Sequence, residues 1–258
     1  MNANERAVPE ALYEIRGLTK SYGGRKVLDD LTFDVRRGEC LVVLGRSGTG
    51  KSVTLRQLNG LEKPDAGEVV FDGTDLARLA ERELFPIRRR IAFLFQSGAL
   101  FDSMNVFDNI AFPLREHAAL PADGIAAKVK EKLGLVKLKD VEMKMPSDLS
   151  GGMRKRVALA RSLTLDPEVV LFDEPTTGLD PVTSASIGKL INAIQKELGV
   201  TAVVVTHDIA LARRVGDRIA FLADARFRFL GDWEEAEREE DPELAHFLAG
   251  REEDADAA

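Results

Sequence analysis

Cys40-Leu41-Val42-Val43-Leu44-Gly45-Arg46-Ser47-Gly48-Thr49-Gly50-Lys51-Ser52 is the stretch whose reading decides the fold. Cys40 to Leu44 form a short apolar run typical of a buried strand. Gly45, Arg46, Ser47, Gly48, Thr49, Gly50, Lys51 and Ser52 fit the pattern Gly, four residues, Gly, Lys, Ser/Thr of a phosphate loop. Val53, Leu55 and Leu58 then recur at helical spacing, so strand, loop and helix follow in the order this pattern requires. The glycines let the backbone wrap an anion with several N–H groups pointing inward, and the following helix adds its positive end. Lys51 supplies a mobile ammonium for the β- and γ-phosphates of a nucleotide, and Ser52 an oxygen ligand for Mg²⁺.

A second apolar run, Val169-Val170-Leu171-Phe172, ends in Asp173-Glu174. In an open parallel sheet, ligands sit at the carboxyl ends of the strands, so Asp173 is expected to emerge beside the phosphate loop and help hold Mg²⁺. Neighbouring strand residues point opposite ways, so Glu174 is expected to do a different job, polarising the attacking water.

The rest of the chain fits around these two strands. Thr201 to Val205 is another continuous β-branched run, and residues 184–198 between it and Phe172 place Ile187, Leu190, Ile191 and Ile194 on one helical face. Strand, helix, strand at this spacing is a parallel crossover unit. Residues 11–35 read as strands broken at Gly23-Gly24, and 69–71 and 91–95 as further strands. From 97 to 163 the character turns helical, with helices expected at 125–133 and 152–163 and their basic residues facing outward. From Asp232 the chain is strongly acidic, yet Asp241-Pro242 is a good helix start, and Leu244, Phe247 and Leu248 share a face that needs a cover. Residues 1–10 and 251–258 are expected to be flexible, flanking a domain at 11–231 and an acidic tail at 232–258.

Composition narrows the function. With 258 residues the chain can bury a full core. A formal charge of −7 argues against a basic nucleic-acid surface. Cys40 is the one cysteine, so no internal disulfide forms, and its apolar neighbours mark it as core. No stretch reaches the roughly 18 apolar residues of a spanning helix, and the first ten residues carry no apolar signal region. The expectation is a cytoplasmic protein whose membrane role needs a separate membrane partner.

Leu149-Ser150-Gly151-Gly152-Met153 is a second glycine-rich turn opening a helix, and so a second anion site. One nucleotide has little use for two such sites in one subunit. Two subunits packed head to tail would put one site on each side of each nucleotide.

With this turn the sequence resembles the ATP-binding-cassette ATPases, from about Leu12 to Leu230. The motifs fall in family order: phosphate loop, Gln96, the signature Leu149 to Met153, the acidic strand through Glu174, Leu179-Asp180, and Thr206-His207-Asp208. The resemblance implies an α/β fold: a phosphate-loop NTPase core of the RecA-like type with a parallel sheet, an N-terminal antiparallel β subdomain and an inserted α-helical subdomain. It implies ATP and Mg²⁺ as ligands and a homodimer with ATP sandwiched at the interface. Tyr22 matches the aromatic that stacks on adenine. Gln96 matches the glutamine that senses Mg²⁺ and the lytic water, and His207 the histidine that contacts the γ-phosphate. Ser150, Gly151 and Gly152 would touch the γ-phosphate held by the other subunit. Asp180 matches the loop that couples the two sites, although Pro181 after it also suits a helix cap.

Within the family, residues 98–103, Asn105-Val106 and 109–114, together with Ser52-Val53 and Met153 in place of the usual glutamine, resemble the ATPases of the Mla/Mce phospholipid-transport systems. That resemblance implies a peripheral place on the cytoplasmic face of the inner membrane. The implied partners are permease subunits, an Mce-type lipid-binding protein and a STAS-domain subunit. Phe101, Phe107 and Phe112 would either line a groove for a permease helix or belong to the core. The alternative is an importer or exporter ATPase for another substrate. A soluble cassette ATPase fits less well, since the chain has one cassette and only positions 53–149, without sustained heptads, separate Ser52 from Ser150.

Overall fold

A computed structural model describes residues 10–250; the expectations for 1–9 and 251–258 lie outside them. The chain begins with an antiparallel hairpin, β1 (Ala11–Tyr22) and β2 (Arg25–Arg36), then reaches β3 (Cys40–Leu44) and, past the phosphate loop, α1 (Lys51–Leu58). β4 (Ala66–Phe71), β5 (Thr74–Asp75), α2 (Glu81–Arg88) and β6 (Ile91–Leu94) follow. α3 (Val106–His117), α4 (Ala122–Leu135) and α5 (Gly151–Ser162) fill the stretch before β7 (Val169–Asp173). α6 (Pro181–Leu198) crosses to β8 (Thr201–Thr206). Then come α7 (Ile209–Val215), β9 (Arg218–Ala223), β10 (Arg226–Gly231), α8 (Trp233–Arg238) and α9 (Pro242–Leu248).

Two sheets result. One has the order β2-β1-β4-β5 and is antiparallel. The other has the order β10-β9-β3-β8-β7-β6, parallel from β9 to β6. Every residue of β3, β7 and β8 is buried, because both faces of this sheet are covered. The alternation is visible in β3: Cys40, Val42 and Leu44 join the core on the helical side, while Leu41 and Val43 join the core shared with the first sheet and α1. The register Leu44 to Thr206 and Asp173 to Val205 aligns the carboxyl ends of β3, β7 and β8 along one rim.

β10 departs from the parallel pattern. It returns antiparallel to β9 through a tight turn at Asp224 and Ala225, whose φ angles are 48° and 63°. Such a turn usually carries Asn-Gly or Asp-Gly, so this hairpin has no local sequence signal.

Of the basic residues of α5, Arg154 is exposed as expected, but Lys155, Arg156 and Arg161 turn inward. Lys155 is buried and donates to the Gln96 carbonyl. Arg156 donates to the Val136 carbonyl at 2.8 Å, and Arg161 to the Ala99 carbonyl at 2.8 Å. Loop carbonyls near the core need donors, and these cations provide them.

The apolar face of α9 is covered by the chain's own body. Leu244 is fully buried, and Phe247 meets Phe221 of β9 with ring centroids 5.1 Å apart. Arg228 of β10 pairs with Asp241 at 2.8 Å and with Glu243 at 2.9 Å. Phe101 is 41% exposed and packs edge-on to Phe112, while Phe107 rests partly buried on the core. Cys40 is buried in β3, and burial pushes its thiol far above the ordinary range, in keeping with a core role.

Candidate functional site

At the shared rim of β3, β7 and β8 lies a cleft of about 410 Å³ lined by Val27, Ser47, Gly48, Gly50, Lys51, Ser52, Val53, Gln96, Glu174, Thr177 and His207. Gly50 forms the N-cap of α1 at φ 108°, and a Cβ there would sit 2.7 Å from the Val27 carbonyl oxygen. Only glycine closes the loop this tightly.

Lys51 is 5% exposed and donates to the carbonyls of Gly45 at 2.8 Å and Arg46 at 2.9 Å. Its ammonium is 3.4 Å from Glu174 Oε1. Burial lowers the Lys51 pKa, and the Glu174 and Asp173 carboxylates pull it back up. The loop thus bends its cation inward, where an arriving phosphate finds it already held.

Ser52 Oγ donates to Asp173 Oδ1 at 2.7 Å. Burial raises the Asp173 pKa and the neighbouring Glu174 raises it further, against the hydrogen bond from Ser52. Both a nearby positive charge and the Ser52 donor favour its ionised form. Ser52, Asp173 and Gln96 are hard oxygen donors of the kind Mg²⁺ takes, one carboxylate among them, with phosphate oxygens and water completing the shell. Among the described residues no three His, Cys, Asp or Glu side chains converge to hold a metal.

Glu174 follows β7 in the left-handed region at φ 46°, an uncommon conformation for a residue with a side chain. It is fixed by Lys51, by His207 Nδ1 at 2.9 Å from Oε2, and by hydroxyls of Thr177 at 3.3 Å and Thr206 at 3.4 Å. The backward turn keeps Asp173 on Ser52 while Glu174 reaches His207.

The second glycine-rich turn lies elsewhere. Ser150 is exposed and caps α5, its Oγ accepting from the Met153 amide at 3.3 Å. None of Leu149, Ser150, Gly151, Gly152 and Met153 lines the cleft around Lys51. A Cβ on Gly151 would lie 3.3 Å from Leu179, and one on Gly152 2.5 Å from Thr183, so this turn packs on the Asp180 loop. Asp180 caps α6 by accepting from the amides of Val182 and Thr183, both at 3.0 Å, which is the capping alternative read from the sequence. Tyr22 sits at the end of β1, 44% exposed, with its hydroxyl on Glu62 and outside the cleft lining.

A family model, ABC transporter, matches residues 28–177, more than half of the chain. The chain belongs to the ABC transporter family. Its ATP-binding and ATP-hydrolysing cassette is therefore the phosphate-loop fold described above. Curated ABC relatives include the "Probable ribonucleotide transport ATP-binding protein mkl" of Mycobacterium leprae, 46% identical over 92% of this chain and 69% of that protein. The "Intermembrane phospholipid transport system ATP-binding protein MlaF" of Escherichia coli is 41% identical over 93% of this chain and 89% of that protein. Among solved ABC cassettes, the post-hydrolysis dimer of MJ0796 bound to ADP and Pi superposes with a TM-score of 0.79 at 34% identity, covering 85% of this chain and 98% of that one. CbiO1 from Clostridium perfringens superposes with a TM-score of 0.82 at 29% identity, covering 93% and 99%.

Sequence reasoning missed Val27 and Thr177 in this ABC cleft, and gave Thr206 no role beyond its place in the motif before His207. Val27 comes from β2 and bears no chemistry. Thr177 follows the acidic strand closely and offered a hydroxyl near Glu174, a signal present but unread. Thr206 precedes His207 at the end of β8, where its side chain turns towards Glu174.

Proposed function

We propose that the chain is the ATP-hydrolysing subunit of a phospholipid transporter of the Mla/Mce type and works as a head-to-tail homodimer. One observation carries the dimer: a single chain holds a phosphate cleft built round a buried lysine and, apart from it, an exposed capped turn of small residues. Two copies in antiparallel array bring Lys51 of one and Ser150 of the other to opposite sides of one γ-phosphate. The dimeric MJ0796 cassettes support this arrangement.

In this reading the loop Gly45, Arg46, Ser47, Gly48, Thr49, Gly50 and Lys51 binds the phosphates, and Tyr22 stacks on adenine. Ser52, Asp173 and Gln96 hold Mg²⁺. When bound, that ion neutralises charge on the phosphate oxygens. Glu174 polarises the attacking water, with its carboxylate aimed by Thr177 and His207. His207 contacts the γ-phosphate, and Asp180 couples the two sites. Cleavage removes the γ-phosphate contacts and adds charge repulsion, so the pair opens.

Phospholipid as the substrate is supported by the identity with MlaF and by the stretch 98–114. The partners are permease subunits, an Mce-type protein and a STAS-domain subunit, with the cassette peripheral to the inner membrane on its cytoplasmic face. No helix of the described residues is long and apolar enough to cross a membrane. The identity with the mycobacterial relative favours a second reading, ribonucleotide transport. Affinity purification from membranes in mild detergent separates the two. A permease with copurifying phospholipid is expected; a permease without lipid that retains ribonucleotides as cargo would favour the second reading, and recovery without membrane partners would refute both.

A further inference from the structure

Two cations of α5, Lys155 and Arg161, donate to the main-chain carbonyls of one loop turn. Lys155, 8% exposed, donates its ammonium to the Gln96 main-chain carbonyl. Arg161 donates Nη2 to the carbonyls of Gly98 at 3.2 Å and Ala99 at 2.8 Å. Between them, Ala158 lies beneath Gly98, which has φ 78° and where a Cβ would come 3.2 Å from the Ala158 Cβ. Positions 155, 158 and 161 are spaced by three and form one ridge on the helix. The turn from Gln96 to Ala99 rides on that ridge and is closed by the Gly98 amide on the Phe95 carbonyl at 2.8 Å.

This turn carries the Gln96 side chain into the cleft beside Lys51, Ser52 and Glu174. The helix beneath it starts at the Ser150 cap. Lys155 is therefore within two turns of the residue that meets a neighbour's nucleotide, while it grips the backbone of a residue at the chain's own nucleotide. Shifting the Gln96 turn against α5 would strip three carbonyls of charged donors. The turn and the helix are thus held together by these contacts. Burial lowers the Lys155 pKa, and the Asp173 and Glu174 carboxylates hold it up.

We propose that Lys155 is a positioning residue that ties Gln96 to the signature helix, so that engagement of Ser150 by a neighbour's nucleotide sets Gln96 at the chain's own Mg²⁺ and water. This rests on the paired-cassette reading above.

The test uses purified full-length protein and titrates Mg²⁺ in the presence of ATP. Lys155→Met keeps the volume and removes the cation. It should leave the ATP Kd without Mg²⁺ unchanged, because the phosphate loop is untouched. It should raise the half-saturating Mg²⁺ concentration and lower kcat by about tenfold each, the scale on which supporting contacts act at metal sites. Lys155→Arg should restore most of both. In a Gln96→Ala background, Lys155→Met should add nothing further. A Lys155→Met protein that melts earlier but keeps wild-type kcat and Mg²⁺ dependence would overturn the proposal, as would a full additional loss in the Gln96→Ala background. Should Lys155→Met fail to fold, amide exchange in the wild type decides. The Gln96–Ala99 turn and the start of α5 should slow together on adding ATP and Mg²⁺; slowing of one alone contradicts the tie. A wild type that turns over no ATP would count against the cassette reading itself, whereas an active wild type with an indifferent Lys155→Met counts against this inference alone.

Discussion

The Lys51 loop and the Ser150 turn are both glycine-bearing starts of helices, yet they are built in opposite ways. The Lys51 loop is closed on itself. Its cation is buried against its own carbonyls and Glu174, and Ser52 is paired with Asp173. The Ser150 turn is exposed, capped by a single hydroxyl, and packed on the loop that leads into α6. A helix start that completes its charges internally can bind a nucleotide alone. One that presents small residues and free helix-terminal amides outward needs its anion delivered by another molecule. The contrast is what the proposed head-to-tail pair requires: two half-sites carried on different copies.

The comparison can be broken first on the closed side. Glu174→Gln keeps the shape of the cleft and removes the carboxylate that would polarise water. Turnover measured by phosphate release should fall by about 10²- to 10⁴-fold, the range for loss of a general base. ATP should then trap a dimer visible by size-exclusion chromatography. Unchanged turnover would take Glu174 out of that role. Lys51→Ala removes the buried ammonium, and ATP affinity measured by calorimetry should drop by about 10- to 100-fold, the worth of a charge-assisted hydrogen bond.

Smaller effects sharpen the contrast. The raised pKa of Asp173 means that its ionised form is disfavoured in the folded protein. Its contribution to stability is therefore present in acid, below the usual carboxylate range, and is lost as pH rises through its raised value. Asp173→Asn should melt higher than wild type at pH 8, by roughly 2–4 °C, with the difference shrinking as the buffer is taken down towards pH 4. Mg²⁺ stimulation of ATP turnover should be lost in the same variant at every pH. On the open side, Asp180→Ala loses the cap of α6, and the melting temperature should drop by roughly 2–4 °C while monomer affinity for ATP stays unchanged.

How much of this was readable beforehand follows the same division. The phosphate loop and the acidic strand could be read because fixed spacing encodes them and the flanking runs are fully buried. Their shared rim followed from parallel order alone. The β9–β10 hairpin was not readable, because Asp224-Ala225 adopts left-handed conformations without a glycine to announce them. The burial of Lys155 and Arg161 was hidden for another reason: helical periodicity marks them as polar, while the carbonyls they hold lie some 60 positions earlier. Nor does periodicity reveal that α9 lies on Phe221, since its apolar face is the same whether it meets its own chain or another. Asp180 shows the limit of motif reading, because one side chain can cap a helix and stand in a coupling loop at once.

The central claim is that each γ-phosphate is gripped by Lys51 of one copy and Ser150 of its twin. Coexpression of two differently tagged inactive variants, Lys51→Ala and Ser150→Arg, with tandem purification of the mixed dimer, tests it most directly. In a mixed dimer one site loses both groups and the other keeps both. The account predicts that the mixed dimer recovers ATP turnover that neither homodimer shows. A mixed dimer as inactive as its parents, or a Ser150→Arg protein with wild-type turnover, would contradict it.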